Sequence, residues 1–329
     1  MKQDLKSLKH ITDPIFEDIK LFEKEFRNAL RSEVRLINLI GKYILRHKGK
    51  HIRPVLTLLA SRVCGQPTIN SYRAAAMIEL LHIATLIHDD VVDEAEKRRG
   101  FLSIKAVWKN KIAVLMGDFM LSKALINMVG LKDFSALQLI ADTAEKLSAG
   151  EILQIEKSLT KSMTENVYYD MIYQKTASLI STSCELGAIT STGKEKDRKA
   201  MVTYGTKLGM AFQVKDDLFD LLGNETQTGK DIGADIKRNM VTLPLIHTYE
   251  KLSKVETRQL KKILSLKKKT CANLNDLKEI VTSAGGFNYA EQKIEEFNHQ
   301  ALDAISPYPD SPYKQSMVDL ISFNVQRTG

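Results

Sequence analysis

The segment YRAAAMIELLHIATLIHDDVVDEAE, opening at Asn70 or Ser71, constrains this chain more than any other. Its apolar residues Met77, Leu80, Leu81, Ala84, Ile87 and Val91 recur at steps of three and four, so one face of a long helix is core. It also holds Glu79, two histidines and two aspartates between Ala74 and Val92, which reads as a buried helix and not a membrane span.

The same period dominates elsewhere. Ser32 is placed to cap a helix from Glu33 to about Lys48, with Gly49 where a helix commonly stops. Pro54 suits a first helical position, and that helix ends near Gly65. RRGFLS reads as a loop. Helical patterns follow over 104–130, 133–158, 165–192, 196–222, 241–252, 256–264, 273–283, 287–304 and 312–326, and no alternating strand stands out. The least regular stretch is the polar, glycine-punctuated loop from Gly223 to Met240. With seventeen glycines and seven prolines in 329 residues, a turn-rich β-sandwich is a poor fit. The expectation is an all-α fold, one domain over 1–329, built as a bundle of ten or more helices.

Three cysteines, Cys64, Cys184 and Cys271, without a CxxC pair exclude a disulfide scaffold or a structural zinc site and suit a reducing cytosol. The first twenty residues have no apolar leader region, so a cytoplasmic location is expected. The net charge of +8 leaves nucleic acid, anionic membrane or small polyanions as partners. No nucleic-acid-binding signature is present. The densest basic patch, Lys261-Lys262 and Lys267-Lys268-Lys269, reads as a solvated face or at most a peripheral membrane contact.

Two acidic clusters point to chemistry. Asp89, Asp90 and Asp93 close the long helix, with Asp89 and Asp93 one turn apart on one face. Asp216, Asp217 and Asp220 repeat that DDxxD spacing 127 positions later, again near the end of an apolar helix. One such cluster alone could be a helix end facing water. Two are hard to read as surface decoration. Like charges that close need cations, and Mg²⁺ characteristically binds through one or two carboxylates plus substrate phosphates. Basic residues accompany both clusters: Lys50 and Arg53 in GKHIRP at a helix start, Arg98 and Arg99, Lys175 in QKTAS, and Lys230. Together they describe a site for two anionic groups, one held by metals and one by direct Lys and Arg contacts.

The pieces GKHIRP, ELLHIATLIHDDVVDEAEKRRG, MGDFML, QKTASL, GMAFQVKDDLFDLLG, GKDIGADIK and TLPLIH run in this order from about Lys42 to His247. By them the chain resembles the trans-isoprenyl diphosphate synthases, specifically the long-chain polyprenyl diphosphate synthases of octaprenyl or heptaprenyl type. YKQSMVDLISFNVQR looks like that family's last helix. The resemblance implies the isoprenoid synthase fold around a central cavity, a homodimer, and condensation of isopentenyl diphosphate with an allylic diphosphate. It implies three Mg²⁺ ions per active site, for which Mn²⁺ can substitute.

Residue by residue, it implies Asp89, Asp93 and Asp216 as metal ligands, with Asp90, Asp217 and Asp220 as ligands or orienters of ligands. Lys175, Lys230 and Arg98 would contact the allylic diphosphate, and Lys50, Arg53, His82 and Arg99 the isopentenyl diphosphate. Thr176 and Gln213 would face the developing allylic cation. The released diphosphate takes the proton, so no protein base is assigned. His88 is expected to bond locally, outside the site. One departure stands out: where the family carries a second Gly-Lys pair before Thr-Leu-Pro, this chain has Asn239-Met240, with Lys237 and Arg238 close by.

Product length should follow from helix geometry. Thr85 and Ala84 lie four and five residues before Asp89, beneath it on the helix. Their small side chains leave a tunnel open, and the same face continues through Leu81, Ile78 and Met77. At a rise of about 1.5 Å per residue, each isoprene unit needs about three residues of open face, so products beyond C20, in roughly the C30–C50 range, are expected. Alternatives remain open: a shorter-chain farnesyl or geranylgeranyl diphosphate synthase, a terpene cyclase, a silent partner subunit of a heteromeric synthase, or a helical nucleic-acid-binding protein.

Overall fold

The computed structural model describes residues 8–47, 49–98, 100–160, 162–222, 240–266 and 270–326. Helix α1 (Leu8–Thr12) and a 3₁₀ turn lead into α2 (Phe16–Ala29), α3 (Arg35–Arg46), α4 (Ile52–Cys64) and α5 (Ile69–Val92). A two-residue hairpin, β1 (Lys97–Arg98) and β2 (Phe101–Leu102), precedes α6 (Ile104–Val129), α7 (Phe134–Thr160) and α8 (Glu165–Ile172). After a π-helical turn, Tyr173–Ala177, come α9 (Ser178–Ser191), α10 (Glu195–Leu222) and α11 (Leu243–Lys251). The chain closes with α12 (Lys254–Ser265), α13 (Cys271–Ser283), α14 (Gly286–Ile305) and α15 (Pro312–Gln326). The fold is all-α, as the periodicity requires.

Four local expectations are corrected. The acidic-ended helix, expected to open at Asn70 or Ser71, opens at Ile69 with Thr68 as its cap; Ser71 is the reciprocal partner in a capping box, its hydroxyl accepting from the Thr68 N–H. The helix expected from Glu33 begins instead at Arg35, because Ser32 Oγ accepts from the Val34 N–H and turns the chain before it. RRGFLS is not a plain loop: Lys97 pairs with Leu102 and Arg98 with Phe101 around Gly100, whose φ of +83° suits a residue without a Cβ. Two-residue strands are too short to leave an alternating pattern. The helix expected over 165–192 is divided by the π-turn, and α6 is kinked at Lys109.

The core is organised around α9, whose residues from Ser178 to Ala188 are all buried, with α4, α5, α7 and α10 packed on it. Leu56, Leu58, Leu59, Ile78 and Leu80 have no exposed surface, and each such side chain is worth about 1.5–3 kcal/mol. The buried hydroxyls of α9 are satisfied locally: Ser183 donates to the Leu179 carbonyl at 2.7 Å, and Thr182 pairs with Thr143 of α7 at 2.7 Å. A second apolar cluster, with Tyr168, Val214, Leu218, Leu243 and Ala290, joins α8, the lower half of α10, α11 and α14. Both clusters border the π-turn.

Among the described residues, α6 is the one helix long and apolar enough to cross a membrane by length and composition. One face of α6 packs on α5, and the other exposes Val107, Val114, Leu115, Ile126 and Val129.

Candidate active site

The end of α5 carries the first aspartates in three different settings. Asp90 is buried and accepts a hydrogen bond from Arg98 Nε at 2.7 Å. Burial pushes its carboxyl above the usual range, and the Arg98 guanidinium pulls it back. Asp89 is half-buried. Its carboxyl is pushed up to about 6, first by burial and then by the nearby Glu151 carboxylate, with Lys175 and Arg98 opposing. Asp93 is the helix C-cap and is exposed. The hairpin aims Arg98: Tyr43 of α3 donates its hydroxyl to the Leu102 carbonyl at 2.7 Å, and Ser103 donates to the Ala95 carbonyl at 2.7 Å. His88, left out of the site by the sequence, bonds outward to Asp118 of α6 at 3.2 Å.

The π-turn faces this end of α5. In it the Ser178 N–H reaches back to the Tyr173 carbonyl and Ser178 Oγ donates to the Gln174 carbonyl at 2.7 Å, so one extra residue is accommodated. The extra residue turns Lys175 and Thr176 toward different helices. Lys175 Nζ reaches α7, where it meets Glu151 at 2.5 Å and donates to Gln154 Oε1 at 2.8 Å. Thr176 reaches α10 and donates to Gln213 Oε1 at 2.7 Å. Gly150 permits this approach, since a Cβ there would lie 2.9 Å from both Gln174 Cβ and the Lys175 nitrogen.

The second aspartates sit one turn further along α10. Gln213 Nε2 donates to Asp217 Oδ1 at 2.8 Å, and the buried Tyr168 hydroxyl donates to Asp217 Oδ2 at 2.7 Å. Both Asp217 oxygens therefore accept from side chains, one of which, Gln213, also holds Thr176, while Asp216 and Asp220 are half-buried. Two polar groupings thus meet at the π-turn: Lys175 with Glu151 and Gln154, whose charges act on Asp89, and a hydrogen-bonded run from Thr176 through Gln213 and Asp217 to Tyr168.

GKHIRP forms the start of α4. Arg53 and His82 come together, with Arg53 NH1 2.9 Å from His82 Nε2. His51 adopts φ of 49° and turns its Nδ1 to Glu79 at 3.0 Å, so the loop is pinned to α5 at two levels. Lys50 is exposed, its ammonium 5.2 Å from the Phe323 ring of α15. Arg99 and Lys230, expected at the site, lie outside the described residues, as do Lys237, Arg238 and Asn239.

Beneath Asp89, Ala84 and Thr85 differ. Ala84 is 1% exposed and enclosed by core side chains. Thr85 is half-buried on the His82 and Asp89 face, its hydroxyl donating to the His82 carbonyl at 2.8 Å. Sequence reasoning missed Glu151, Gln154 and Tyr168. The available signal was a Gly-Glu-x-x-Gln turn, Gly150 to Gln154, on an otherwise amphipathic helix.

Half-buried Asp89, Asp216 and Asp220 and exposed Asp93 carry the oxygen donors that hard divalent cations take, and a further carboxylate, Glu151, disfavours the ionised form of Asp89; among the described residues no three acidic, histidine or cysteine side chains are gathered closely enough to hold an ion by themselves. Comparison with known proteins agrees with this chemistry. Residues 34–283 match the family model described as polyprenyl synthetase. The octaprenyl diphosphate synthase of Haemophilus influenzae is 34% identical over 326 residues, covering 99% of both chains. A decaprenyl diphosphate synthase from Rhodobacter capsulatus superposes with a TM-score of 0.90 at 29% identity, covering 98% of this chain and 100% of that one. A polyprenyl synthase from Caulobacter crescentus CB15, solved with calcium and isoprenyl diphosphate, gives a TM-score of 0.88 at 27% identity over 98% of each chain. The match of residues 34–283 to that family model, with 34% identity to an octaprenyl diphosphate synthase along nearly the whole of both chains and an all-α frame shared with these synthases, places the chain in the polyprenyl synthetase family.

Proposed function

We propose that this protein elongates an allylic diphosphate with isopentenyl diphosphate to give a long-chain all-trans polyprenyl diphosphate. In each round the allylic carbon–oxygen bond breaks and its electron pair leaves with diphosphate. The π electrons of isopentenyl diphosphate form the new carbon–carbon bond. The proton lost from the adjacent carbon goes to the released diphosphate.

Asp89, Asp93, Asp216 and Asp220 would hold three Mg²⁺ ions, or Mn²⁺ in their place, which neutralise charge growing on the leaving diphosphate. Asp90 and Asp217 act differently: Asp90 orients Arg98, and Asp217 orients Gln213. Arg98 and Lys175 bind the allylic diphosphate, with Lys230 assigned by resemblance. Arg53 and His82 bind the isopentenyl diphosphate with Lys50, and Arg99 is assigned there by resemblance. Thr176, its hydroxyl proton committed to Gln213, keeps oxygen lone pairs with which a dipole fixed in advance would stabilise a cationic carbon. Thr85, half-open on the Asp89 face, lines the path of the growing chain.

The observation that carries this reading is that one π-turn sets Lys175, whose charge acts on Asp89 of the first DDxxD, next to Thr176, which is bonded through Gln213 to Asp217 of the second. The test is incubation with Mg²⁺, farnesyl diphosphate and labelled isopentenyl diphosphate, followed by sizing of the products. Incorporation into products beyond C20 is expected; no incorporation overturns the synthase reading, and termination at C15 or C20 overturns the long-chain one.

The apolar surface of α6, with Ile152, Ile155 and Leu159 of α7, supports pairing with a second copy. A monomer at micromolar concentration by light scattering would overturn the homodimer.

A further inference from the structure

We infer that Glu151 and Gln154 of α7 form a resting berth for Lys175, which releases the lysine to diphosphate when metal arrives. The inference rests on the synthase reading above and extends it to a positioning residue, Glu151.

Three observations carry it. Lys175 Nζ has two acceptors on a single turn of α7, Glu151 at 2.5 Å and Gln154 Oε1 at 2.8 Å. Those acceptors are tied to each other, Gln154 Nε2 donating to Glu151 Oε1 at 3.3 Å. The backbone holds the berth in place, because at Gly150 α7 touches the π-turn too closely for even a methyl group. The side chains are 34% exposed for Lys175 and 19% for Glu151, so the pair is partly desolvated and stronger than a surface ion pair.

The position of the berth gives it a consequence. Glu151 acts electrostatically on Asp89, and Lys175 stands close to both carboxylates. While docked, the ammonium neutralises part of the acidic face and is withheld from any diphosphate. When it moves to a diphosphate, Glu151 and Asp89 face each other without it, and the charge left behind favours a cation. Metal binding and diphosphate binding are thereby coupled through one lysine, and each must strengthen the other by the same factor.

The experiment measures binding of inorganic diphosphate by calorimetry, in chelator and then across a Mg²⁺ titration. It uses the full-length wild type, Glu151→Gln, Lys175→Ala and the double variant. In chelator, Glu151→Gln should bind diphosphate about tenfold tighter, since a charged hydrogen-bonded competitor has been removed. With Lys175→Ala already present, the same change should gain only about twofold, the share due to simple repulsion. The enhancement of diphosphate affinity by Mg²⁺ should shrink in Glu151→Gln and be retained in Glu151→Asp, which keeps the charge. Equal gains with and without Lys175, or an unchanged Mg²⁺ enhancement, would overturn the berth. If Glu151→Gln does not fold, Gln154→Met removes one acceptor and should show a gain of about twofold in chelator; no gain there has the same force against the inference. Condensation by the wild-type preparation is assayed separately, so failure of the berth is distinguishable from failure of the synthase reading.

Discussion

Tyr168 donates its hydroxyl to Oδ2 of Asp217 at 2.7 Å, inside the protein, where the tyrosine has no exposed surface. One oxygen of a DDxxD aspartate is thus occupied from α8, and the other is occupied by Gln213 from its own helix.

Removing that anchor should slow turnover without changing which substrates bind. Tyr168→Phe leaves Asp217 one donor short and loosens Gln213, so kcat should fall about tenfold, with about 1–3 kcal/mol lost in stability. Asp217→Asn should fall further, while Asp216→Ala, which removes a carboxylate proposed to hold metal, should lose several orders of magnitude. Rates of labelled isopentenyl diphosphate incorporation and thermal melts decide this. Tyr168→Phe at wild-type rate would show that Asp217 needs no orienting.

Asp89 sets a pH dependence in the absence of metal. Its carboxyl is raised from 3.8 to about 6, so the native state holds its proton more tightly than the unfolded chain does. Its favourable contribution is complete below pH 3.8 and disappears as pH rises through about 6. In chelator, Asp89→Asn should therefore gain stability relative to wild type between pH 4 and 7, by about 1–2 kcal/mol after solvent screening is allowed for. Parallel melting curves at pH 4 and pH 7 would refute this.

The two anion sites should separate kinetically. Arg53→Ala removes a guanidinium held against His82, and should raise KM for isopentenyl diphosphate about 100-fold while KM for the allylic partner moves little. The reverse pattern would mean that the two pockets are interchanged.

Product length should respond at Thr85 more cleanly than at Ala84. A phenylalanine at Thr85 enters space that is already half-open, and should shorten products to C15–C20 while condensation continues. At Ala84, 1% exposed, the same ring must displace core side chains, at a cost of about 1–3 kcal/mol or more. Chromatographic sizing of products, with melts of both variants, separates the two effects. An unchanged product distribution in Thr85→Phe would exclude it from the tunnel wall.

Much of this site could be read from spacing alone. Asp89 with Asp93, and Asp216 with Asp220, are set by helical repeat, and an apolar helix leading to each cluster required something cationic there. Arg53 and His82 lie 29 positions apart, and the fold brings Arg53 NH1 to 2.9 Å from His82 Nε2. What spacing could not convey was division of labour within a motif. Asp90 and Asp217 have the same sequence context as their neighbours, and only burial and the partners Arg98, Gln213 and Tyr168 distinguish them. The π-turn was illegible because a helix with one extra residue keeps the composition of a helix. Glu151 looked like an ordinary polar position because its partner, Lys175, lies on another element.

That extra residue between Tyr173 and Ala177 has a consequence for how relatives are sorted. Deleting it would let α8 and α9 merge into one regular helix and rotate one half against the other by about 100°. Lys175 and Thr176 could then no longer reach α7 and α10 together, although every aspartate would survive in the alignment. A homologue shorter by one residue across this segment should be a well-folded protein that has lost condensing activity. Segment length, read at one place, would then separate working synthases from silent paralogues where a tally of DDxxD motifs finds them alike.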